Sequence, residues 1–198
     1  MVDAVCDKLT HILRTNLKDI DDKKAEIINF GIKSIVSEFS KTTVLLAAAY
    51  ALGVLNYIII AIVSFGTYRI FAGGFHAKSH IGCLTTNSIM LFSIVYSSFF
   101  INTYLNYICF LIFLINCIII YLYAPADVEE KPVVSKKLRR KLKYQSFIVM
   151  SMIFIVSLIM VDRVIANILI LSTFFESLTL LPISYRLMKC RHGYGEAI

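Results

Sequence analysis

Ala47-Ala48-Ala49-Tyr50-Ala51-Leu52-Gly53-Val54-Leu55-Asn56-Tyr57-Ile58-Ile59-Ile60 lies in the middle of the first long apolar run of this chain. Gly53 and Asn56 interrupt the run. Glycine weakens a helix through its backbone freedom and asparagine competes with helical hydrogen bonding. The residues before the break also carry a helical stripe, Ile28, Ile32, Ile35, Val36 and Phe39, with the spacing of one helix face. The reading is therefore two helices, about 25–52 and about 54–70, where the run 43–68 alone would suggest one.

Four further apolar runs follow at about 81–101, 104–123, 146–161 and 164–187. A spanning helix needs about 20 residues. With 58% apolar residues, a mean hydropathy of +0.76 and no tryptophan, the composition is that of an integral membrane protein. The expected fold is all-α, a single polytopic membrane domain over residues 1–198 with six transmembrane helices. Lysine and arginine accumulate on the cytoplasmic side of membrane proteins. Six crossings with both termini cytoplasmic leave only Arg163, of twenty Lys and Arg residues, in an external turn. Five crossings would put either the basic N-terminus or the loops 69–80 and 131–143 outside. The six-crossing model places Lys33, Glu38 and Lys41 on helix one, which must then run partly along the interface or against protein.

The N-terminus carries Asp3, Asp7, Lys8, Arg14 and Lys18 without a leading apolar stretch, so no cleavable signal peptide is expected. Val2, Val5, Leu9, Ile12, Leu13, Leu17 and Ile20 recur at helical spacing, which predicts an amphipathic interfacial helix within residues 1–24. A net charge of +7 raises the question of nucleic acid. The basic residues flank apolar runs instead of interleaving with aromatics, so anionic lipid headgroups are the expected partner and nucleic acid is not. The loop 124–145 holds Lys136-Lys137-Leu138-Arg139-Arg140-Lys141-Leu142-Lys143, which serves as a topology anchor or as a dock for an acidic peptide segment.

Chemistry concentrates between helices two and three, in Arg69-Ile70-Phe71-Ala72-Gly73-Gly74-Phe75-His76-Ala77-Lys78-Ser79-His80-Ile81-Gly82-Cys83. Cysteine needs a base or a positive field to ionise near neutral pH, and histidine is the side chain that exchanges its proton there. On a straight helix His76 and Cys83 would stand about 10 Å apart along the axis. Proton transfer requires about 3 Å, so the connection must depart from a helix; Gly73, Gly74 and Gly82 either provide that freedom or simply punctuate a loop. If helix three begins near Gly82, unpaired amides in its first turn would favour a thiolate and receive an oxyanion. His80 competes for the base role. His76, His80 and Cys83 also form an i, i+4, i+7 pattern able to hold zinc or copper if helical, although only three ligands are evident. The remaining cysteines form no CxxC pair: Cys109 and Cys117 read as packing residues, and Cys6 and Cys190 receive no role.

Four charged residues are supporting candidates. Arg69 can bind a peptide carboxylate or snorkel to the interface. Glu176, near the middle of the last apolar run, must be protonated or paired, with Lys33 or Arg69 available. Glu38 and Asp127 are candidates for a third group orienting His76, neither assigned by the sequence, and an aspartate beside Pro125 more often suits a turn or cap.

With these motifs in order, the chain resembles the accessory gene regulator protein B (AgrB) family of Gram-positive quorum-sensing systems, from the first membrane helix to about residue 187. The resemblance is carried by Arg69…Gly73-Gly74-Phe75-His76-Ala77-Lys78…Gly82-Cys83, by Tyr123-Ala124-Pro125-Ala126-Asp127 with Lys131-Pro132, and by Glu176-Ser177-Leu178-Thr179-Leu180-Leu181-Pro182. It implies that His76 and Cys83 are the catalytic pair, with no metal or other cofactor. It further implies a cysteine endopeptidase of the bacterial cytoplasmic membrane, its active site facing the cytosol. Its substrate would be a small precursor peptide (AgrD-like), closed into a thiolactone or lactone ring, and the family is thought to act as homodimers. Two rival functions remain, a His/Cys metal-binding membrane protein and a nonenzymatic peptide exporter or scaffold.

Overall fold

The computed structural model describes residues 22–75, 80–101, 105–128, 133–188 and 190. Seven helices are described: α1 (Asp22–Ala51), α2 (Leu55–Ala72), α3 (His80–Phe100), α4 (Leu105–Tyr123), α5 (Lys136–Ile159), α6 (Arg163–Thr179) and α7 (Pro182–Leu187). The interfacial helix expected within 1–24, with Cys6, falls largely outside the described residues, as do His76, Lys78, Lys131, Pro132 and the side chains of His80 and Lys33.

The chain divides into two compact units, residues 1–51 and 52–198. The first contains α1, on which exposed Glu38 forms an ion pair with Lys41 one turn later. Gly53 follows with φ 70°, the left-handed conformation that releases a chain from a helix. The two helices read from the break at Gly53 are thus present.

In the second unit, α6 is the axis. It packs against α2, α3, α4 and α5, while α2 also meets α3 and α5, and α4 meets α5. The outer helices carry exposed apolar side chains, among them Ile59 and Val63 on α2, Ile89 on α3, Phe110 and Leu114 on α4, and Met152 and Ile155 on α5. Buried polar residues gather at the axis: Asn167, Ser172, Thr173, Glu176 and Ser177 on α6, with Asn116 of α4 donating to Thr173 across 3.1 Å. Apolar outside with polar contacts between helices is the arrangement suited to lipid. Among the described residues three helices are long and apolar enough to cross a membrane, Leu55–Ala72, Ile81–Phe100 and Lys136–Ile159, and Tyr107–Tyr123 is a shorter apolar one.

Helix ends follow local chemistry. Asp162 caps α6 by accepting from the amides of Val164 and Ile165, and Ser135 caps α5 by accepting from Leu138. Three expectations need correcting. The basic stretch 136–143 is not loop; it forms the opening turns of α5. The last apolar run is two helices, because Pro182 lacks an amide hydrogen and begins α7 anew. Glu176 therefore lies in the last turn of α6, not near the middle of a span.

Candidate functional site

One end of the bundle collects the chemistry-bearing segments. α2 ends at Ala72, and α3 opens at His80 after seven intervening residues. Gly73 and Gly74 take φ of 82° and 125°, where side chains other than glycine are strained. They run beside the segment that leaves α4: the Ala126 amide donates to the Ala72 carbonyl at 2.8 Å, and the Gly74 amide donates to the Ala126 carbonyl at 2.7 Å. The two strands of chain form a short parallel bridge at Gly73 and Ala126. A Cβ on Gly73 would lie 2.2 Å from the Ala126 oxygen, and one on Gly74 would lie 2.4 Å from the Thr179 hydroxyl. Both glycines are therefore required by close approach as well as by backbone angle.

Arg69 fastens this turn to the axial helix. Its Nη1 donates to Glu176 at 3.1 Å, its Nη2 donates to the Phe75 carbonyl, and the guanidinium lies 5.7 Å from the Phe65 ring centre. Glu176 is fully buried, so a charged partner offsets the desolvation that would otherwise exclude it. Of the two partners considered for Glu176, Arg69 is paired with it, and the Lys33 side chain lies outside the described residues. Beside this pair, the Tyr68 and Ser177 hydroxyls are 3.0 Å apart, and the Phe75 ring meets Tyr185 edge-on at 6.4 Å. The residue just ahead of His76 is thus held through its carbonyl, its ring and the glycines before it.

A second clasp closes the segment after α4. Asp127 accepts from the Val133 amide at 2.7 Å and from Arg139 at 3.0 Å, while Arg139 also donates to the Pro125 carbonyl at 3.2 Å. The Tyr185 hydroxyl donates to the Asp127 carbonyl at 3.3 Å. Burial pushes the Tyr185 phenol up from its ordinary range, which keeps it a donor. Asp127 therefore ties a loop through Arg139. Glu38 is paired with Lys41.

Cys83 lies in the first described turn of α3 and is half buried. Gly82 is helical here, so the freedom expected of it is not used; the Thr85 hydroxyl donates to its carbonyl at 3.1 Å. Asn87, one turn on, donates from Nδ2 to the Cys83 Sγ at 3.7 Å. Sequence reasoning gave no role to Asn87 or Tyr185, and it named Ala126, Arg139 and Thr179 only as members of longer motifs, without the contacts they make here. Asn87 had a weak signal, standing four places from Cys83 within the polar stretch Thr85-Thr86-Asn87-Ser88. Ala126 was visible only within its motif, because its contribution is made by backbone atoms.

The model of the family described as Accessory gene regulator B matches residues 6–180. An AgrB-like protein of Clostridium acetobutylicum is 32% identical over 195 residues, covering 96% of this chain and 91% of that protein. Accessory gene regulator protein B of Staphylococcus aureus strain bovine RF122 is 35% identical over 159 residues, 80% of this chain and 83% of its own. That of strain JH9 is 32% identical over the same shares. No solved structure matches the chain. With most of its length accounted for in this way, and the glycine turn, the Asp127 loop and the Glu176 helix end meeting at one end of the bundle, the chain belongs to the accessory gene regulator B family.

Proposed function

We propose that this chain is a membrane-embedded cysteine endopeptidase that cleaves a small quorum-sensing precursor peptide and promotes closure of its ring. The observation that carries the reading is the construction of the approach to His76. Gly73, Gly74 and Phe75 are pinned by Ala126, Arg69 and Tyr185, and α3 starts within a few residues carrying Cys83. A transferring proton needs such fixed geometry, because small misplacements of a catalytic group cost large factors in rate.

In the proposed reaction His76 takes the Cys83 thiol proton, and the sulfur attacks the carbonyl at the cut site. The tetrahedral oxyanion collapses, the C–N bond breaks, and His76 returns the proton to the leaving amine. A thioester joins the N-terminal fragment to Cys83. An internal cysteine or hydroxyl of that fragment then attacks the thioester, releasing a thiolactone or lactone and restoring the thiol. Exchange between thioesters is close to balanced, so the demanding step is the first. Removal of the released C-terminal fragment draws it forward, and exclusion of water protects the acyl-enzyme.

The same reading has six crossings, both termini in the cytosol and the reactive turn at the inner rim of the bilayer. The precursor then arrives from the cytosol, and the basic opening of α5, at the same end as the Asp127 clasp, meets lipid headgroups or acidic peptide. The protein acts as a homodimer in this reading. Cys83→Ser and His76→Ala are each expected to abolish precursor cleavage by at least about a thousandfold while membrane insertion is retained. Cleavage by both variants would refute the pair. Intact cleavage by His80→Ala, in the presence of chelator, separates this mechanism from the metal alternative.

A further inference from the structure

Asn87 has no obvious structural reason to be where it is. Asparagine is a poor residue for a helix interior, and α3 is otherwise apolar enough to cross a membrane. Thr85, two residues earlier, satisfies itself: its hydroxyl donates to the carbonyls of Ile81 and Gly82 on its own helix. Asn87 instead directs its amide at sulfur, 3.7 Å from the Cys83 Sγ, with both residues half buried. The spacing of four places the two side chains one above the other on a single face.

The acceptor determines what such a bond accomplishes. A neutral thiol is a weak acceptor, whereas hydrogen bonds to ionised groups are roughly twice as strong as neutral ones. The Asn87 amide therefore interacts more strongly with thiolate than with thiol, and it cannot itself surrender a proton near neutral pH. The helices packed on α3 are α2 and α6. The titratable and charged groups they bring to this end are Tyr68, Arg69 and Glu176, of which Tyr68 faces Ser177 and Arg69 is paired with Glu176. His80 stands at the head of α3, and His76 and Lys78 precede it. Arg69 directs one Nη at Glu176 and the other at the Phe75 carbonyl.

We propose that Asn87 is a positioning residue for the Cys83 thiolate, its side-chain N–H holding the sulfur in one rotamer and favouring the ionised form. The proposal rests on Cys83 being the nucleophile. It concerns a step before substrate enters, so it is testable without the precursor. The full-length protein in lipid nanodiscs is treated with iodoacetamide, and the rate at Cys83 is followed by peptide mass mapping at about pH 7 and about pH 10, where thiols are largely ionised. Asn87→Leu is expected to slow alkylation about tenfold at the lower pH and to leave the rate at the higher pH nearly unchanged. Asn87→Asp, isosteric but anionic, is expected to slow it further at the lower pH, and Asn87→Gln to retain most of the wild-type rate.

Equal rates for wild type, Asn87→Leu and Asn87→Asp at the lower pH would overturn the proposal, as would parallel losses at both pH values. Should Asn87→Leu fail to fold, the Asp and Gln variants decide the matter on the same two rates. Cleavage of the precursor by Cys83→Ser would instead refute the endopeptidase reading, whatever the alkylation rates show.

Discussion

Arg69 links three pieces of chain with one guanidinium, and a planar fork is what allows it. Glu176 and the Phe75 carbonyl take separate nitrogens, a division that the compact ammonium of lysine reproduces poorly. Arg69→Ala leaves a fully buried carboxylate unpaired, at a cost of about 3 kcal/mol or more. The variant is expected to lower the thermal midpoint in detergent, and Glu176→Gln added to it should recover part of the loss. A double variant no more stable than Arg69→Ala would show that the pair is not the source. Gly73→Ala combines a left-handed backbone with a Cβ 2.2 Å from the Ala126 oxygen. It is expected to cost on the order of 2 kcal/mol or more, and a wild-type midpoint would contradict the bridge. At this scale the sequence marked the charges but not their partners. Glu176 in an apolar run had to be paired, yet choosing Arg69 requires knowing that α2 ends beside α6. Asp127 was legible as a turn residue, whereas its bond to Arg139 spans twelve positions and depends on how the loop returns.

Among the elements, α6 stabilises its neighbours by polar contacts that lipid cannot replace. The Asn167 amide donates to the carbonyls of Ser98 and Ile101 at 2.9 and 2.8 Å, completing the C-terminal end of α3. Those carbonyls belong to the class that a helix leaves unpaired. Asn167→Leu is expected to cost about 1–3 kcal/mol and to increase hydrogen exchange in the last turn of α3 ahead of the rest of that helix. Unchanged exchange there would remove Asn167 from this role. Element boundaries were readable where a residue forbids continuation. Gly53 marked the division between α1 and α2, and Pro182 could have marked the division of the last run, which hydropathy alone had merged. The basic stretch opening α5 was taken for loop because charge suppresses hydropathy, although lysine, arginine and leucine are good helix formers.

For the whole molecule, the exposed apolar faces and polar axis describe a protein folded for hydrocarbon. That much was carried by composition; the identity of the central helix was not, since α6 is less apolar in sequence than α2, α3 and α4. Placing the basic opening of α5 in the cytosol and Arg163 outside makes an accessibility prediction. A membrane-impermeant maleimide applied to intact cells should label Arg163→Cys and leave Lys137→Cys unlabelled until the membrane is permeabilised. The reverse pattern would invert the topology and remove the reactive turn from the cytosol. Lys143 over the Tyr121 ring at 5.1 Å is consistent with a headgroup-level belt at that end.

The acyl-enzyme itself is the most direct test. A precursor whose internal ring-closing cysteine is replaced by alanine cannot release the thioester by cyclisation, so the intermediate should accumulate. Mass mapping is then expected to find the N-terminal fragment of the precursor on the peptide containing Cys83, removable with hydroxylamine. Cleavage that proceeds with no adduct at Cys83, or with the fragment on another cysteine, would contradict the account.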